Sequence, residues 1–591
     1  MALGAVALYA RTVGFGWVYD DQLDVVRNTF VQSFTYLPQM FTTTAWTGAE
    51  AENYLYRPLV LLSYAVNYQL SALAAWSYHL TNILVHAGVS VLVVRVGRLW
   101  GLSATAAGLG GLLFAVHPVH VEAVAAVFGR KDGLMALFTL AMVLLHRKAL
   151  ARGRWFAVLP VVAYACAMLS KEAGIVGLAL VALLDWRLGP DRGRLIRSQR
   201  AGGLYLAYLI TFLVYLLVRT TVAGGIGVAE TSYLDNPLVA AAPAARFGTA
   251  LAVIGRGVAL LAVPLTLSPD YSFDAIPVVQ SVFDLRFLTT VAFLSLLGWA
   301  FAVPRFRRSV VALGILWYAI TLFPTSNLLM LVGTIFAERL LYLPSVAFCL
   351  LVATGLVWVA ERRRPAALAA AVALVAALSV QTLRYSSAWR DDISLFRWAV
   401  ASVPHSTKAH HKLGEELLRA GHLGEAIREL ERALAIAPEN QYAAATLAVA
   451  EQRIAERYGP STGAGDDPPT DPNVLAVLAQ RSGDRGDLAL AEAQFTAALA
   501  ADSLHPRSLA GLGAIALLQS DTARALRYLE RAAAQDLAPA SAWFNLGRVH
   551  LARGEAPQAV WALRRFVVLA GPRYPQQVEW ANRTLAALGD R

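Results

Sequence analysis

The chain has 591 residues, of which 57% are hydrophobic and 15% are charged, and its mean hydropathy is +0.51. Because soluble globular domains carry roughly 25% charged residues, this composition excludes a wholly soluble protein. The net charge of +11 does not indicate nucleic-acid binding, since the basic residues cluster in loops between apolar blocks. The two cysteines, Cys166 and Cys349, lie in apolar runs and predict no disulfide framework.

Residues 1–385 form a succession of apolar blocks, and we interpret about eleven of them as membrane crossings, each of which needs roughly 20 helical residues. The predicted crossings are 1–16, 79–97, 104–127, 132–146, 155–169, 173–186, 203–223, 286–304, 309–325, 337–360 and 365–383. Those at 155–169 and 173–186 are short, so one of them is alternatively re-entrant or tilted. Residues 247–267 are also apolar, but a crossing there would break the alternation of the loops. We interpret them as re-entrant or as lying against the bundle.

The basic residues between these blocks predict the orientation of the chain. They fall at 95–98, 146–154, 187–200, 305–308 and 362–364, and placing all five loops in the cytoplasm agrees with eleven crossings. The N-terminus is then cytoplasmic, and the chain after about residue 386 emerges on the opposite, outer face. The charged groups around Asp20, Arg130, Lys171 and Glu338 are predicted to share that outer face.

Six charged groups are predicted at the outer rim of the bilayer, where ionisable residues are functional candidates because burying them unpaired is costly. They are Asp20-Asp21, Tyr56-Arg57-Pro58, His117 with His120 and Glu122, Arg130-Lys131-Asp132, Ser170-Lys171-Glu172, and Glu338-Arg339. Asp20-Asp21 also fits a helix cap, and Lys171-Glu172 fits a mutual ion pair. His117, His120 and Glu122 have the spacing of metal ligands but form an incomplete set, so substrate contact or structural pairing is the alternative.

These acids and cations suit the transfer of a group from a phosphate to a hydroxyl. A hydroxyl is a weak nucleophile and needs a base within reach, which an Asp beside the bilayer can supply. A leaving phosphate needs Arg or Lys donors. The cations predicted on this face are Arg57, Arg130, Lys131, Lys171 and Arg339.

After a connector at 386–404, residues 405–591 are amphipathic and carry a 34-residue period. Gly513 and Gly547 are 34 positions apart, and Ala491, Ala525 and Ala559 share that spacing. This pattern resembles the tetratricopeptide repeat (TPR), a pair of antiparallel helices. The sequence predicts four to five repeats, degraded around 459–472. They form an α-solenoid that binds a protein, or that serves packing alone.

The residues of these motifs and their order along the chain resemble one family, the transmembrane and TPR-repeat-containing O-mannosyltransferases of the C-type (GT-C) glycosyltransferase superfamily. The resemblance is carried by Asp20-Asp21, Tyr56-Arg57-Pro58-Leu59, Tyr78-His79-Leu80, the run from His117 to Val124, Ser170-Lys171-Glu172, and the run from Glu338 to Ser345. It implies an all-α fold, with a polytopic GT-C-type membrane domain over 1–385 followed by the TPR solenoid. The alanine-rich composition looks bacterial, so we expect a multi-pass inner (plasma) membrane protein with its repeats on the periplasmic face.

The resemblance also implies an activity, the inverting transfer of mannose or another hexose from a polyprenyl-phosphate donor to Ser/Thr hydroxyls of a protein. Asp20 becomes the expected base, with Asp21 as its alternative, and the five cations are expected to bind the donor phosphate. The repeats are expected to select the acceptor protein. No cofactor beyond the lipid-linked donor is implied. The further candidates for the substrate site are His117, His120, Glu122, Glu172 and Glu338.

Two other functions compete with this interpretation. A GT-C transferase acting on a lipid or glycan would share the membrane domain, but the repeat array favours a protein acceptor. A non-catalytic membrane scaffold would share the repeats, but it would not need acids and cations at the bilayer rim.

Overall fold

The computed structural model describes residues 1–51, 53–152, 154–188, 199–225, 231–459 and 469–589, and within these ranges the chain is helical and contains no β-strand. It divides into two compact units. The first comprises Met1–Ser272 and Ile276–Ser402, and the second comprises Phe273–Ala275 and Val403–Arg591. Most of the predicted basic loop 187–200 and of the predicted linker 459–472 lies outside the described residues.

The first unit is built from seventeen α-helices among the described residues, most of them apolar. In chain order they are α1 Ala2–Tyr9, α2 Leu37–Thr42, α3 Pro58–Ser71, α4 Trp76–Leu99, α5 Ala104–Val116, α6 Val121–Ala125, α7 Arg130–Arg152, α8 Val158–Ser170, α9 Val176–Leu188, α10 Gln199–Ala223, α11 Pro243–Ala262, α12 Leu285–Ala302, α13 Pro304–Arg307, α14 Val310–Leu322, α15 Ser345–Ala360, α16 Arg364–Ser386 and α17 Asp392–Ser402. The all-α membrane architecture expected from the sequence is confirmed.

Six helices of the described chain are long and apolar enough to cross a membrane, and a pair of helices bent by 52° would make a seventh. The six are Trp76–Leu99, Val127–Ala151, Ala201–Ala223, Pro243–Ala262, Leu285–Ala302 and Arg364–Arg390, and the pair is Ala104–Val116 with Pro118–Ala125. Four other predicted crossings coincide with shorter apolar helices, Ala2–Gly14, Val158–Ser170, Val310–Thr325 and Ser345–Ala360. The count of eleven crossings therefore stays a prediction.

Helix α11 passes this test, although the sequence interpretation excludes its region from the crossings. Asn236, just before α11, donates a side-chain hydrogen bond of 3.1 Å to Asn327. Ser268, just after α11, donates its backbone N–H to Glu338 Oε1 at 2.7 Å. Asn327 and Glu338 both belong to the loop between α14 and α15, so that loop holds the chain at both ends of α11. This arrangement favours the non-crossing interpretation, which stays a prediction.

The second unit is a helical repeat array. Its α-helices are α18 Thr407–Arg419, α19 Leu423–Ile436, α20 Gln441–Tyr458, α21 Pro472–Asp484, α22 Leu488–Ala501, α23 Pro506–Leu518, α24 Thr522–Ala533, α25 Ala540–Ala552, α26 Ala556–Ala570 and α27 Pro575–Ala587. Four antiparallel pairs are described, α18 with α19, α21 with α22, α23 with α24, and α25 with α26. The single helix α20 precedes the incompletely described linker, where the sequence predicts a degraded repeat.

The small residues of the 34-residue period lie where two helices of a pair come closest. A Cβ on Gly414 would stand 2.6 Å from Leu430, and one on Gly547 would stand 2.7 Å from Leu563. Within the pair the turn also favours glycine, because Gly554 has a φ of +75°. The equivalent turn residue one repeat earlier is Ser520, which adopts the same left-handed region at +62°.

Candidate active site

Asp20 and Asp21 follow α1 in a loop where their surroundings differ. Asp21 is fully buried, and its two carboxylate oxygens accept the backbone N–H groups of Val18 at 3.1 Å and Phe128 at 2.7 Å. Burial raises the pKa of Asp21 to about 8, against the effect of those two hydrogen bonds. Asp20 is only partly buried. The two adjacent acids therefore differ: Asp21 binds the backbone of two loops, whereas the side chain of Asp20 remains partly exposed to solvent.

A third acid, Asp24, lies one turn after Asp20 and is not among the six charged groups predicted from the sequence. The Asp24 backbone N–H donates to the Asp20 carbonyl at 2.9 Å within a short helical turn over Gln22–Val26. Its Oδ1 accepts the indole N–H of Trp46 at 2.5 Å, and its Oδ2 lies 4.0 Å from the Lys131 ammonium. Burial raises the pKa of Asp24, the charge of Lys131 opposes this, and Asp20 adds to it. The four-residue spacing from Asp20 is the signal that could have identified it.

Each remaining cation of the predicted set, apart from Arg130, faces an acid. Arg57 donates to Glu172 at 3.1 Å, Lys171 donates to Asp132 at 2.5 Å, and Arg339 pairs with Glu122. The predicted Lys171-Glu172 pair does not form, because the two side chains are bound to Asp132 and Arg57. Burial is the largest influence and raises the pKa of Glu172, but the charge and hydrogen bond of Arg57, a backbone hydrogen bond and the charge of Lys171 together outweigh it, so the pKa of Glu172 lies below its ordinary range.

These pairs and the acid-bearing loop lie within charge-interaction range of one another. Asp24 interacts most strongly with the charge of Lys131, then with that of Asp20, and then with that of Arg57. Arg339 interacts with Glu122 first and also with Asp20. The structure thus gathers Asp20, Asp24 and four cations from separate parts of the sequence into one charged cluster, with Arg57, Lys131, Lys171 and Arg339 as the cations.

Three polar atoms of this cluster and of the acids paired with it are buried and have no hydrogen-bond partner among the described residues. They are Arg57 Nε, Glu172 Oε1 and Asp132 Oδ2. Buried polar atoms in folded proteins are nearly always satisfied, and each exception requires an explanation such as a catalytic role or a bound water or ion. The orphaned atoms belong to the two ion pairs Arg57–Glu172 and Lys171–Asp132, so both pairs have unused hydrogen-bonding capacity.

Local backbone packing places two of the charged groups. Arg130 and Lys131 begin α7 directly after Gly129, where a Cβ would stand 2.5 Å from the Glu122 carbonyl oxygen. Lys171 directly follows the end of α8 and precedes a turn through Gly174, where a Cβ would stand 2.5 Å from the backbone of Ala167. In both places glycine allows the chain to fold tightly back on the preceding backbone.

Arg130 is buried inside the first unit and hydrogen-bonds to neighbouring helices there. Its guanidinium donates to Asn82 at 2.8 Å, to Asn67 at 2.6 Å and to the Tyr78 carbonyl at 2.9 Å, and it lies 4.6 Å from the ring centre of Tyr64. Arg130 is 1% exposed. Its N–H groups therefore donate to other parts of the protein, whereas the neighbouring Lys131 faces the carboxylate of Asp24.

The two predicted site histidines are buried and bound to protein groups. His117 contacts the Leu261 carbonyl at 2.9 Å, and His120 contacts the Phe114 carbonyl and Ser345 Oγ, both at 2.8 Å. Glu122 is bound instead to Arg339, so the weak metal set His117, His120 and Glu122 is not brought together. Across the described residues no group of three or more His, Cys, Asp or Glu side chains has the geometry to hold a metal ion.

Glu338 precedes Arg339 of the cluster in the chain, and its carboxylate binds the loop that follows α11. Its Oε1 accepts the Ser268 N–H at 2.7 Å and the Tyr271 hydroxyl at 2.6 Å. The placement joins Glu338 to the loop after α11, whereas its sequence neighbour Arg339 belongs to the charged cluster.

An apolar cavity of about 800 Å³ lies between helices α8, α9, α10 and α14. Ile175 lines it three residues after Glu172, and Phe212 lines it on α10 one turn before Tyr215, which interacts with the charges of Glu172 and Arg57. The cavity therefore adjoins the Arg57–Glu172 end of the cluster. Its other lining residues are Tyr164, Val176, Leu178, Ala179, Ala182, Tyr205, Leu209, Ala319, Ile320, Phe323 and Pro324.

Comparison with protein families gives two matches. Residues 228–298 match the family described as Protein O-mannosyl-transferase TMTC, DUF1736, and residues 407–440 match the tetratricopeptide repeat. The first match covers α11, the loop that joins it to α12, and most of α12. The second covers α18 and α19, and it confirms the predicted TPR array.

Several curated proteins are similar over most of this chain. Human Protein O-mannosyl-transferase TMTC4 is 32% identical over 491 residues, which are 72% of this chain and 65% of that protein. Human TMTC1 is 30% identical, over 76% of this chain and 56% of its own length, and Drosophila melanogaster Tmtc3 is 29% identical, over 74% and 54%. The chain thus spans less than two thirds of the length of these relatives. Among solved structures, yeast Tom70 is 12% identical with a TM-score of 0.19, over 84% of this chain and 96% of that chain.

Proposed function

Since the chain belongs to the TMTC family and is a multi-pass membrane protein with TPR repeats, we propose that it is a protein O-glycosyltransferase. It transfers a hexose, mannose in the first instance, from a polyprenyl-phosphate donor to a Ser or Thr hydroxyl of a protein. The observation that carries this proposal is a solvent-reaching acid beside four cations, with unsatisfied buried polar atoms, at the edge of an apolar cavity.

Asp20 is the base in this proposal. The acceptor hydroxyl attacks the anomeric carbon while its proton passes to the Asp20 carboxylate, and the bond from that carbon to the phosphate oxygen breaks. A single displacement of this kind inverts the configuration at the anomeric carbon. Asp21 is unsuited to the role because both of its oxygens are occupied by backbone N–H groups.

Arg57 and Lys171, together with Lys131 and Arg339, hold the donor phosphate and stabilise the polyprenyl phosphate that leaves. Charge-assisted hydrogen bonds to phosphate are among the stronger hydrogen bonds in proteins. The unsatisfied Nε of Arg57 supports this assignment, because a phosphate oxygen would satisfy it. Arg130 is left with a supporting role, since its donors are bound to Asn67, Asn82 and the Tyr78 carbonyl.

The apolar cavity between α8, α9, α10 and α14 takes the first isoprene units of the donor. The adjoining face of α10 supports this, because Leu206, Leu209 and Leu213 are exposed in the absence of a membrane. In this proposal the remaining chain passes between the helices into the bilayer. The protein then works in a bacterial inner membrane with its charged cluster and TPR array on the periplasmic side, where the array selects the acceptor.

The proposal is tested with the purified full-length protein in lipid vesicles that contain radiolabelled polyprenyl-phosphate mannose. Acceptor proteins from the periplasm are added, and label in protein is separated from label in lipid and free sugar. Transfer to protein that is released by β-elimination supports the proposal. Label that reaches only a lipid or a glycan would support the competing transferase, and absence of any transfer from polyprenyl-phosphate sugars would contradict both.

A further inference from the structure

The inverting displacement that we propose constrains where the sugar lies. The attacking hydroxyl, the anomeric carbon and the leaving phosphate oxygen must be roughly in line, so the sugar ring stands between the base and the phosphate site. With Asp20 as base and Arg57 in the phosphate site, the side chains of interest are those that interact with both. Asp24 and Lys131 meet this condition, because each lies within charge-interaction range of Asp20 and of Arg57.

Asp24 has one carboxylate oxygen held and the other available. Trp46 donates its indole N–H to Oδ1 at 2.5 Å, which orients the carboxylate. The 4.0 Å separation between Oδ2 and the Lys131 ammonium is longer than a hydrogen bond, and no described residue donates a hydrogen bond to Oδ2. Asp24 is 8% exposed, so its side chain is almost withdrawn from water yet can still be reached.

Asp21 shows what a purely structural acid looks like in the same loop. It is 0% exposed, and each of its oxygens accepts a backbone N–H. Asp24 differs in two ways. Its one hydrogen bond comes from a side chain, that of Trp46, and its second oxygen accepts no hydrogen bond from any described residue. The nearest charged group to that oxygen is the Lys131 ammonium at 4.0 Å, so the oxygen keeps its capacity to accept a hydrogen bond.

We infer that Asp24, oriented by Trp46, accepts a hydrogen bond from a hydroxyl group of the donor sugar and so selects for that hydroxyl. This inference rests on the proposed transferase function. A site built to bind a hydroxyl rejects analogues that lack it, because its buried polar group is then left unpaired. The carboxylate also stabilises the positive charge that develops on the sugar ring in the transition state.

The test uses the full-length protein in vesicles with polyprenyl-phosphate mannose and four analogues that lack the hydroxyl at position 2, 3, 4 or 6. The wild-type protein is expected to use one analogue about 10²-fold less efficiently than mannose, in kcat/KM. Asp24→Asn should slow mannose transfer by a comparable factor but leave the rate with that one analogue almost unchanged. Trp46→Phe, which replaces the indole by a smaller aromatic ring without an N–H, should give the same selective pattern with a smaller loss.

The matched control is Asp284→Asn, which changes an acid at the N-terminus of α12, where it pairs with Arg286. It should leave the order of preference among the five donors unchanged. A wild-type protein that uses all five donors equally would overturn the inference without any variant. So would an equal slowing of all five donors by Asp24→Asn, since that pattern indicates structural damage. A wild-type protein that transfers no sugar at all would instead refute the proposed function.

Discussion

At the scale of single residues, adjacent acids have different environments and therefore different predicted roles. Asp20→Asn should lower turnover by about 10²- to 10⁴-fold, because it removes the proton acceptor, while the melting temperature stays near that of the wild type. Asp21→Asn should lower the melting temperature, since an Asn amide would direct an N–H at one of the two backbone N–H groups that Asp21 now accepts. Turnover and thermal unfolding are measured for both variants. An active Asp20→Asn with an inactive but stable Asp21→Asn would reverse the two roles.

Two arginines give a second comparison between binding and structure. Arg57→Lys keeps the charge but loses the planar fork, and we expect it to weaken binding of the polyprenyl-phosphate donor by about tenfold. Arg130→Lys should reduce stability more than donor binding, because its guanidinium joins Asn82, Asn67 and Tyr78. Equilibrium binding of a labelled donor and the melting temperature separate the two effects. Donor affinity that is unchanged in Arg57→Lys would remove Arg57 from the phosphate site.

At the scale of elements, the turns that precede the charged groups depend on glycine. Gly129→Ala would place a Cβ 2.5 Å from the Glu122 carbonyl oxygen and 2.6 Å from the Ala123 Cα. We expect a loss of about 1–3 kcal/mol in the free energy of unfolding, as in overpacked interiors, together with lower donor affinity because Lys131 and Glu122 shift. Gly108→Ala, where a Cβ would meet nothing within 4 Å, is the control. Equal behaviour of the two variants would contradict the prediction.

The topology of α11 is the second prediction at this scale. Single cysteines at Ala242 and at Val263, one on each side of α11, are introduced into a protein whose Cys166 and Cys349 are replaced. If α11 does not cross the membrane, an impermeant maleimide should label both positions from the same side of intact spheroplasts. Labelling of one position from each side would establish α11 as a crossing. In that case the predicted orientation of every later loop would have to be revised.

At the scale of the whole molecule, the repeat array is predicted to select the acceptor without taking part in the chemistry. Deleting residues 405–591 should spare transfer to a short Ser/Thr peptide and abolish transfer to a full-length acceptor protein, with donor binding as the control for a folded membrane unit. In intact spheroplasts an added protease should also reach the array. Protection there, with cleavage only in inverted vesicles, would place the array in the cytoplasm and contradict the proposed periplasmic reaction.

Much of the architecture was predictable because it depends on properties of short stretches of sequence. The 34-residue period reflects contacts within one helix pair, such as Gly414 with Leu430 and Gly547 with Leu563, which recur wherever the pattern recurs. The family match was equally predictable from the motifs, and it is confirmed. The number of crossings was not, because several helices are too short for length and composition to decide.

The sequence by itself determined an all-helical membrane unit, a TPR array and a set of charged candidates, because hydropathy and helical periodicity are local properties. The tertiary structure alone decided how those charges combine. Arg57 and Glu172 are 115 positions apart, and Glu122 and Arg339 are 217 apart, so no spacing rule could have paired them. The same folding buried Asp21, left Asp20 accessible and brought Asp24 against Lys131, since burial and charge pairing depend on neighbours that are distant in the chain.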